Sequence, residues 1–361
     1  MKVLTILGTR PEIIRLSQII PKLDKHCEHI IVHTGQNYDY ELDKIFFDTL
    51  KIRKPNYYLN ARGTFAKQIA IIFEKLEEIL LKEKPDRFLV LGDTNSSLSG
   101  IVAKRLAIPV FHMEAGNRCF DENVPEEVNR KIIDHSSSIL LPYTSRSCEN
   151  LLSEGIPRNR IYITGNPIYE IITKNLKKVN SSKVLKKLNI KNNNYFLLTL
   201  HRQENVDNPE QLIKFINLLK IIIEKYKNKF IVWPIHPRTR YLLNSLKIKL
   251  DKKIILSKPV SFFNFVKLEK NSFCILTDSG TVQEEASILK IPCIILRNST
   301  ERQETVETGA VLVNYDSELL IIKNIEIANE QKKLNDTIPT EYTIPNVSDR
   351  VVNILLSHHK F

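Results

Sequence analysis

Short apolar runs rich in Val, Ile and Phe alternate with longer amphipathic stretches from one end of the chain to the other. Apolar runs bounded by Gly, Asp or His read as strands, and the longer stretches with apolar residues three or four apart read as helices. The first half predicts strands at Lys2–Gly8, His29–Gly35, Arg87–Asp93, Pro109–Glu114, Ile139–Tyr143 and Ile161–Gly165, with helices such as Phe65–Glu83 and Glu126–His135 between them. The second half restarts the rhythm at Tyr195–His201, Phe230–His236, Lys253–Leu256, Phe273–Ser279, Pro292–Leu296 and Ala310–Val313. Between the halves the strands pause in a Lys/Asn/Ser-rich helical stretch, Pro167–Asn193, so a boundary is expected near Gly165–Glu170. Repeated strand–helix units predict an α/β fold of parallel sheets covered on both faces. Two doubly wound, Rossmann-like domains facing across a cleft is the expected architecture, with domains at 1–168 and 169–345 and a C-terminal segment at 346–361.

Such sheets bind ligands beyond the carboxyl ends of their strands, where helix N-termini also present free N–H groups. Chemistry is therefore expected just after each strand. Gly8, Gly35, Gly92, Gly116, Gly165 and Gly280 lie there.

Composition then excludes several function classes. Glycine occurs only 10 times in 361 residues, and no pair of glycines fits the dinucleotide fingerprint or a Walker A loop. The net charge of +12 comes from lysines spread along the chain without a long basic run, which favours a solvated basic surface over a nucleic-acid stripe. The five cysteines include no C-x-x-C pair and no histidine spacing for zinc, so they read as reduced thiols of a cytoplasmic protein. MKVLTILGTRPE is too short for a signal sequence, and no segment has the roughly 18 apolar residues of a membrane span.

The polar residues beside the strand ends carry the candidate chemistry. Gly8-Thr9-Arg10-Pro11-Glu12 follows the first strand, with Pro11 suited to a first helical turn and Arg10 a rigid cation at the site, unless it pairs with Glu12 on the surface. Gly92-Asp93-Thr94-Asn95-Ser96 follows the third, where Asp93 reads most simply as a helix N-cap. His112-Met113-Glu114-Ala115-Gly116-Asn117-Arg118-Cys119 is the densest stretch, and strand alternation predicts His112 and Glu114 on one face. Val124-Pro125-Glu126-Glu127 opens a helix, where the macrodipole alone would explain acidic residues. Asp93, Glu114 and Glu126 nevertheless place three carboxylates at one rim, an arrangement that separates acid and base pKa values.

In the second half, Leu200-His201-Arg202-Gln203-Glu204 follows a strand, and Ile235-His236-Pro237-Arg238 repeats the design one strand later. Thr277-Asp278-Ser279-Gly280-Thr281 predicts a tight turn into a helix whose free N–H groups suit a diphosphate. Glu285, one turn on, is placed to accept hydrogen bonds from ribose hydroxyls. Phe265 sits in a phenylalanine cluster that either stacks on a base or packs in the core. Arg302, in TERQE, adds a cation near the same rim.

In order along the chain, GTRPE, HTGQ, GDTNS, HMEAG, PEEVNR, HRQEN, HPR, TDSG with VQEEA, and TERQE resemble the non-hydrolysing UDP-N-acetylglucosamine 2-epimerase family. Each motif alone is weak; the ordered set is specific and spans nearly the whole chain. The resemblance implies the glycosyltransferase B-like two-domain fold, a C-terminal helix Val347–Ser357 packing on the first domain, a homodimer, a UDP-N-acetylhexosamine substrate for surface polysaccharide such as capsule or lipopolysaccharide, and no metal or nicotinamide cofactor. Carried over motif by motif, Asp93, Glu114, Glu126 and His201 match the catalytic residues. Arg10, Arg15, His236, Phe265, Ser279, Gly280, Thr281, Glu285 and Arg302 match substrate contacts. The family reaction eliminates UDP to a 2-acetamidoglucal and adds it back on the other face, which needs a base at C2, stabilisation of the leaving diphosphate and an acid opposite. The resemblance leaves open which acid takes which proton.

Several positions depart from the commoner pattern. Arg15 replaces lysine, Asn37 replaces a histidine usual in epimerases with an allosteric substrate site, Asn117 and Cys119 replace Leu and Thr, and Thr281 replaces a second glycine. HTGQNYDYEL and HMEAGNRCFDENVPEEVNRK instead resemble the branch that epimerises UDP-2-acetamido-2,6-dideoxy-L-talose to UDP-N-acetyl-L-fucosamine. Rival readings are a glycosyltransferase of the same superfold, a hydrolysing epimerase, a nucleotide-sugar sensor and a nucleic-acid binder. The three carboxylates count against the first, the filled catalytic positions against the third, and the scattered charge against the last.

Overall fold

Every strand pairing is parallel, and the two sheets repeat one topology. A computed structural model describes residues 1–35, 40–200, 202, 205, 208–313, 318–334, 337–357 and 359. The first sheet contains β1 (Lys2–Leu7), β2 (Glu28–His33), β3 (Tyr57–Tyr58), β4 (Arg87–Leu91), β5 (Val110–Met113) and β6 (Ile139–Leu141). The second contains β7 (Tyr195–Thr199), β8 (Phe230–Pro234), β9 (Ile254–Ser257), β10 (Cys274–Thr277), β11 (Cys293–Ile295) and β12 (Val311–Leu312). Their orders, β3-β2-β1-β4-β5-β6 and β12-β11-β10-β7-β8-β9, are the doubly wound arrangement, with a switch of winding direction between β1 and β4 and again between β7 and β10. The expected α/β class of paired Rossmann-like sheets is what the chain adopts.

The chain divides into two compact units, Met1–Ile171 with Thr340–Phe361, and Ile172–Pro339. The boundaries thus fall a few residues from 168 and 345. Unit 1 closes with the returning C-terminal segment: Glu170 accepts from the Ser348 amide at 2.8 Å and its hydroxyl at 2.6 Å, and the buried Arg87 guanidinium donates to the Leu355 carbonyl at the end of the helix Val347–Leu356.

Near-continuous apolar strands are what a sheet buried on both faces requires. In unit 2, Phe196, Leu198, Ile231, Trp233 and Leu276 enter one core, while Tyr195, Leu197, Val232, Ile275 and Ile295 enter the other. Period-two alternation therefore sorts one run of sequence between two cores. The helix Phe65–Glu83 in unit 1 is capped by the Thr64 side chain, ended by Lys84 at φ 47°, and buries Ile72, Leu76, Ile79 and Leu80 along one stripe. Those spacings are the i, i+4, i+7, i+8 face of a helix.

The expected strand at Ile161–Gly165 is reduced to one bridge, Leu140 to Ile161. The segment turns instead toward the C-terminal return, where the Asn166 amide donates to the Glu341 carbonyl at 3.2 Å. The short edge strand Tyr57–Tyr58 had no apolar run to announce it.

Candidate active site

In unit 1 the polar residues gather where β1, β4 and β5 end. The helix Arg10–Leu16 begins directly after β1, with Pro11 in its first turn. Glu12 does not pair with Arg10: its carboxyl turns back and accepts from the Gly8 and Thr9 amides, both at 2.6 Å, and from the Thr94 hydroxyl at 2.7 Å. Burial pushes Glu12 up to about 7, against the opposing pull of those hydrogen bonds. Arg10 is left half-buried at the helix start, a position suited to an anion.

Arg15, on the same helix, reaches Glu114 with Nη1 2.5 Å from Oε2, and both side chains are buried. Its guanidinium also lies 5.8 Å from the centre of the Tyr143 ring. Glu114 stands just past β5 with φ +66°. The backbone has left the strand there, so the alternation expected to align Glu114 with His112 ends at Met113. A left-handed glutamate costs on the order of 1–2 kcal/mol, and such strain concentrates at functional sites. Asn117 Nδ2 donates to the other Glu114 oxygen at 3.3 Å.

A buried network fixes this turn from behind. His112 has Nδ1 2.7 Å from Asp134 Oδ1 and Nε2 3.0 Å from the Gly92 carbonyl. Asp134 Oδ2 accepts from the Gly116 amide at 3.0 Å and from Arg118 Nη1 at 2.8 Å. Burial opposes ionisation of Asp134, but His112 and then Arg118 outweigh it and hold the carboxyl below its ordinary range. Gly116 is needed at φ +80°, because a Cβ there would lie 2.1 Å from the Ser147 carbonyl oxygen.

Asp93 is not a helix cap. Its carboxylate receives Arg130 through Nε and Nη2, each at 2.8 Å, from the helix Pro125–Ser136. Arg130 Nη1 meanwhile donates to Glu127 at 2.7 Å, and Glu127 accepts from the Cys119 and Phe120 amides at 3.2 and 3.0 Å. Burial is again outweighed, here by the Cys119 amide and Arg130, so Glu127 is held below the usual carboxylate range. Glu126, its neighbour, has a buried Oε2 that meets no donor among the described residues. Of this double acid, Glu127 braces the loop and Glu126 keeps an unfilled acceptor. Sequence reasoning missed the bracing residues Glu12, Glu127, Arg130 and Asp134; the three-residue spacing of Glu127 and Arg130 on a helix was the available signal.

Unit 2 presents the Ser279-Gly280-Thr281 turn. Ser279 is the N-cap of the helix Gly280–Leu289, and its hydroxyl lies 3.1 Å from that of Thr281. A Cβ on Gly280 would stand 2.6 Å from both Arg302 Nη1 and Glu301 Oε1. Arg302 is therefore near the turn, but its buried guanidinium is committed to Glu284 Oε1 at 2.6 Å and to Glu301. Glu285 is 4% exposed. Asp278 accepts from the Arg202 amide at 2.9 Å and from Asn205 at 3.0 Å, tying the segment after β7 to the turn after β10. Phe265 packs against the core of the Tyr195 face. His236 is exposed and caps the helix Pro237–Ser245, its Nδ1 accepting from the Arg238 amide at 3.3 Å. His201 and Asn37 lie outside the described residues.

Two doubly wound units, one presenting guanidinium-braced carboxylates and the other a Ser-Gly-Thr turn at a helix N-terminus, define an α/β protein with two Rossmann-like sheets. Residues 21–356 match the family profile described as UDP-N-acetylglucosamine 2-epimerase, and the chain belongs to that family, whose members are isomerases. It is 47% identical over 343 residues to the UDP-N-acetylglucosamine 2-epimerase of Methanocaldococcus jannaschii, covering 92% of this chain and 93% of that protein. It is 37% identical over 328 residues to the UDP-2,3-diacetamido-2,3-dideoxy-D-glucuronate 2-epimerase of Pseudomonas aeruginosa, covering 89% and 90% respectively. A crystal structure of the M. jannaschii UDP-GlcNAc 2-epimerase in complex with UDP-GlcNAc and UDP is similar with a TM-score of 0.92, covering 98% of this chain and 99% of that one. Among the described residues, no helix is long and apolar enough to cross a membrane.

Proposed function

We propose that the protein inverts C2 of a UDP-N-acetylhexosamine, interconverting UDP-N-acetylglucosamine and UDP-N-acetylmannosamine without releasing the sugar. A hydrogen on C2 beside an acetamido group is barely acidic, because no carbonyl adjoins that carbon. Loss of UDP from C1 with removal of the C2 proton gives a 2-acetamidoglucal. Re-addition of UDP at C1 and delivery of a proton to the opposite face of C2 completes the inversion. Two acid–base groups are needed, together with a site that stabilises the leaving diphosphate.

The observation that carries this reading is the division of labour among the three carboxylates of unit 1. Asp93 and Glu114 each face a guanidinium, from Arg130 and Arg15, whereas Glu126 has an oxygen with no donor among the described residues. Three acids with three different sets of partners supply the separate proton-removing and proton-returning groups that the two transfers require. In unit 2, Ser279, Gly280 and Thr281 hold the diphosphate and Glu285 takes the ribose hydroxyls.

A second reading concerns the substrate. The segments HTGQNYDYEL and HMEAGNRCFDENVPEEVNRK favour a 6-deoxy sugar, UDP-2-acetamido-2,6-dideoxy-L-talose, in place of UDP-N-acetylglucosamine. One experiment treats both. The protein is incubated in D2O with each sugar nucleotide and C2–H is followed by NMR. Deuterium entering C2 with UDP retained on the sugar supports epimerisation, and the faster-exchanging sugar identifies the branch. No exchange with either overturns the epimerase reading, and accumulation of free sugar makes the enzyme a hydrolysing one.

A further inference from the structure

His112 lies on β5 with its side chain buried, and each of its ring nitrogens meets an oxygen. Nδ1 is 2.7 Å from Asp134 Oδ1 and Nε2 is 3.0 Å from the Gly92 carbonyl. A carbonyl only accepts, so Nε2 must donate. Asp134 turns its other oxygen to Arg118 Nη1 at 2.8 Å, the geometry of an ionised carboxylate facing a cation, so it accepts as well. A neutral imidazole has one N–H and one lone pair, and either tautomer would aim that lone pair at an oxygen.

The surrounding charges agree. Arg118 is shared: Nε and Nη2 donate to Glu154, each at 2.7 Å, while Nη1 serves Asp134. One guanidinium thus stands between two carboxylates, and buried charges need partners. A cationic His112 supplies the second. Glu154 also lies 3.2 Å from the exposed His135. The flanking strands β4 and β6 place Val90 and Leu140 in register with His112. The other guanidiniums of the site, Arg15 and Arg130, are engaged with Glu114 and with Asp93 and Glu127.

We infer that His112 carries a proton on both ring nitrogens and, in that form, is the positioning residue that holds Asp93 and Glu114 in place. Nε2 fixes Gly92, which precedes Asp93 and abuts Glu114, since a Cβ added to it would stand 3.6 Å from Glu114 Oε2. Nδ1 fixes Asp134, which accepts from the Gly116 amide at 3.0 Å, just beyond Glu114. One ring therefore spans both segments that carry the carboxylates, and a ring with a single proton could hold only one of them. The inference rests on the reading of Asp93 and Glu114 as groups that move the C2 proton.

The first test needs no substrate. The full-length protein, labelled with nitrogen-15 at histidine, is observed by NMR at about pH 7.5, where an unperturbed histidine has one ring proton. The His112 ring, assigned through the β5 backbone, is expected to show a hydrogen on each nitrogen. An unprotonated nitrogen there would overturn the inference. Asp134→Asn can turn its amide NH2 toward Nδ1, and in that variant the ring is expected to keep one proton. Two would show that Asp134 does not hold the second, which overturns it as well.

The second test is turnover. His112→Gln, or His112→Asn should the first not fold, is expected to slow C2–H exchange in D2O at saturating sugar nucleotide by about tenfold to a hundredfold, the scale of a catalytic group displaced by ~1 Å. KM is expected to stay within a few-fold of wild type. An unchanged rate, or a raised KM with the rate kept, would overturn the positioning role. Wild type with both ring protons but no exchange into either sugar would overturn the epimerase reading and leave the protonation of His112 standing.

Discussion

Arg15 and Glu114, 99 positions apart in sequence, meet at 2.5 Å in the interior of unit 1. The pair joins the helix after β1 to the end of β5, across β4, which lies between those strands. A guanidinium stays charged at any working pH, so the carboxylate nearest the strained turn is held against a permanent cation. Lysine, the commoner residue at position 15, would offer one point charge on a mobile stem.

Glu114→Gln tests whether this carboxylate moves protons. The amide oxygen can still accept from Arg15, so the turn should persist. Exchange of C2–H in D2O is expected to fall by about a hundredfold or more, the usual scale of acid–base catalysis, while UDP affinity by calorimetry stays within a few-fold of wild type. A large loss of UDP affinity would instead make Glu114 a binding residue.

Glu12→Gln addresses pH. Burial raises Glu12 from 4.5 to about 7, so the folded chain holds a proton that the unfolded chain releases. The stability this group contributes is complete below about pH 4.5 and is lost as pH rises toward 7, a decline of up to about 3 kcal/mol. The variant should lack that decline. Hydrogen exchange of the β1 amides is the appropriate measurement, since Trp233, the single tryptophan, lies in unit 2 and fluorescence would not report on unit 1.

Asp134 has the opposite sign. His112 and Arg118 hold its carboxyl below the ordinary range, so its contribution is present above the unfolded pKa and disappears as pH falls through the folded one. Removing one member of a buried ion pair costs about 3–5 kcal/mol. Thermal unfolding of Asp134→Asn at neutral pH should show a loss of this size, narrowing as both proteins are acidified. An unchanged midpoint would show that the network carries no net stability.

Gly116→Ala and Gly155→Ala form a controlled pair. Both glycines have positive φ, +80° and +83°, but an alanine methyl at 116 would meet the Ser147 carbonyl at 2.1 Å, whereas nothing lies within 4 Å at 155. The second substitution should cost only the left-handed penalty of about 1–2 kcal/mol. The first adds a backbone clash of about 1–3 kcal/mol, and should lower the unfolding midpoint clearly more.

The sheets were legible in the sequence because parallel strands buried on both faces must be apolar throughout, and that requirement survives without knowledge of partners. Strand ends were less so. Glu114 was expected to continue β5, but the turn to φ +66° is set by Arg15, Asp93's neighbour Gly92 and Asp134, none of them local in sequence. Ile161–Gly165 had the apolar character of a strand and was drawn elsewhere by residues 341–344. The acids themselves were visible as polar residues after strands. Their differences were not, because the guanidinium facing Asp93 comes from a helix 37 positions away and an orphaned oxygen such as that of Glu126 has no sequence signature. Arg302 was legible in TERQE as a cation near the turn, but its pairing with Glu301 and with Glu284 from the preceding helix was not.

The return of residues 340–361 to unit 1 also sets an order of assembly during synthesis. The ribosome delivers all of residues 172–339 before it delivers the helix that meets Glu170 and Arg87, so unit 2, an uninterrupted stretch of chain, can complete its core first. Unit 1, although translated earlier, gains the Ser348 and Leu355 contacts of those two residues only when that helix emerges.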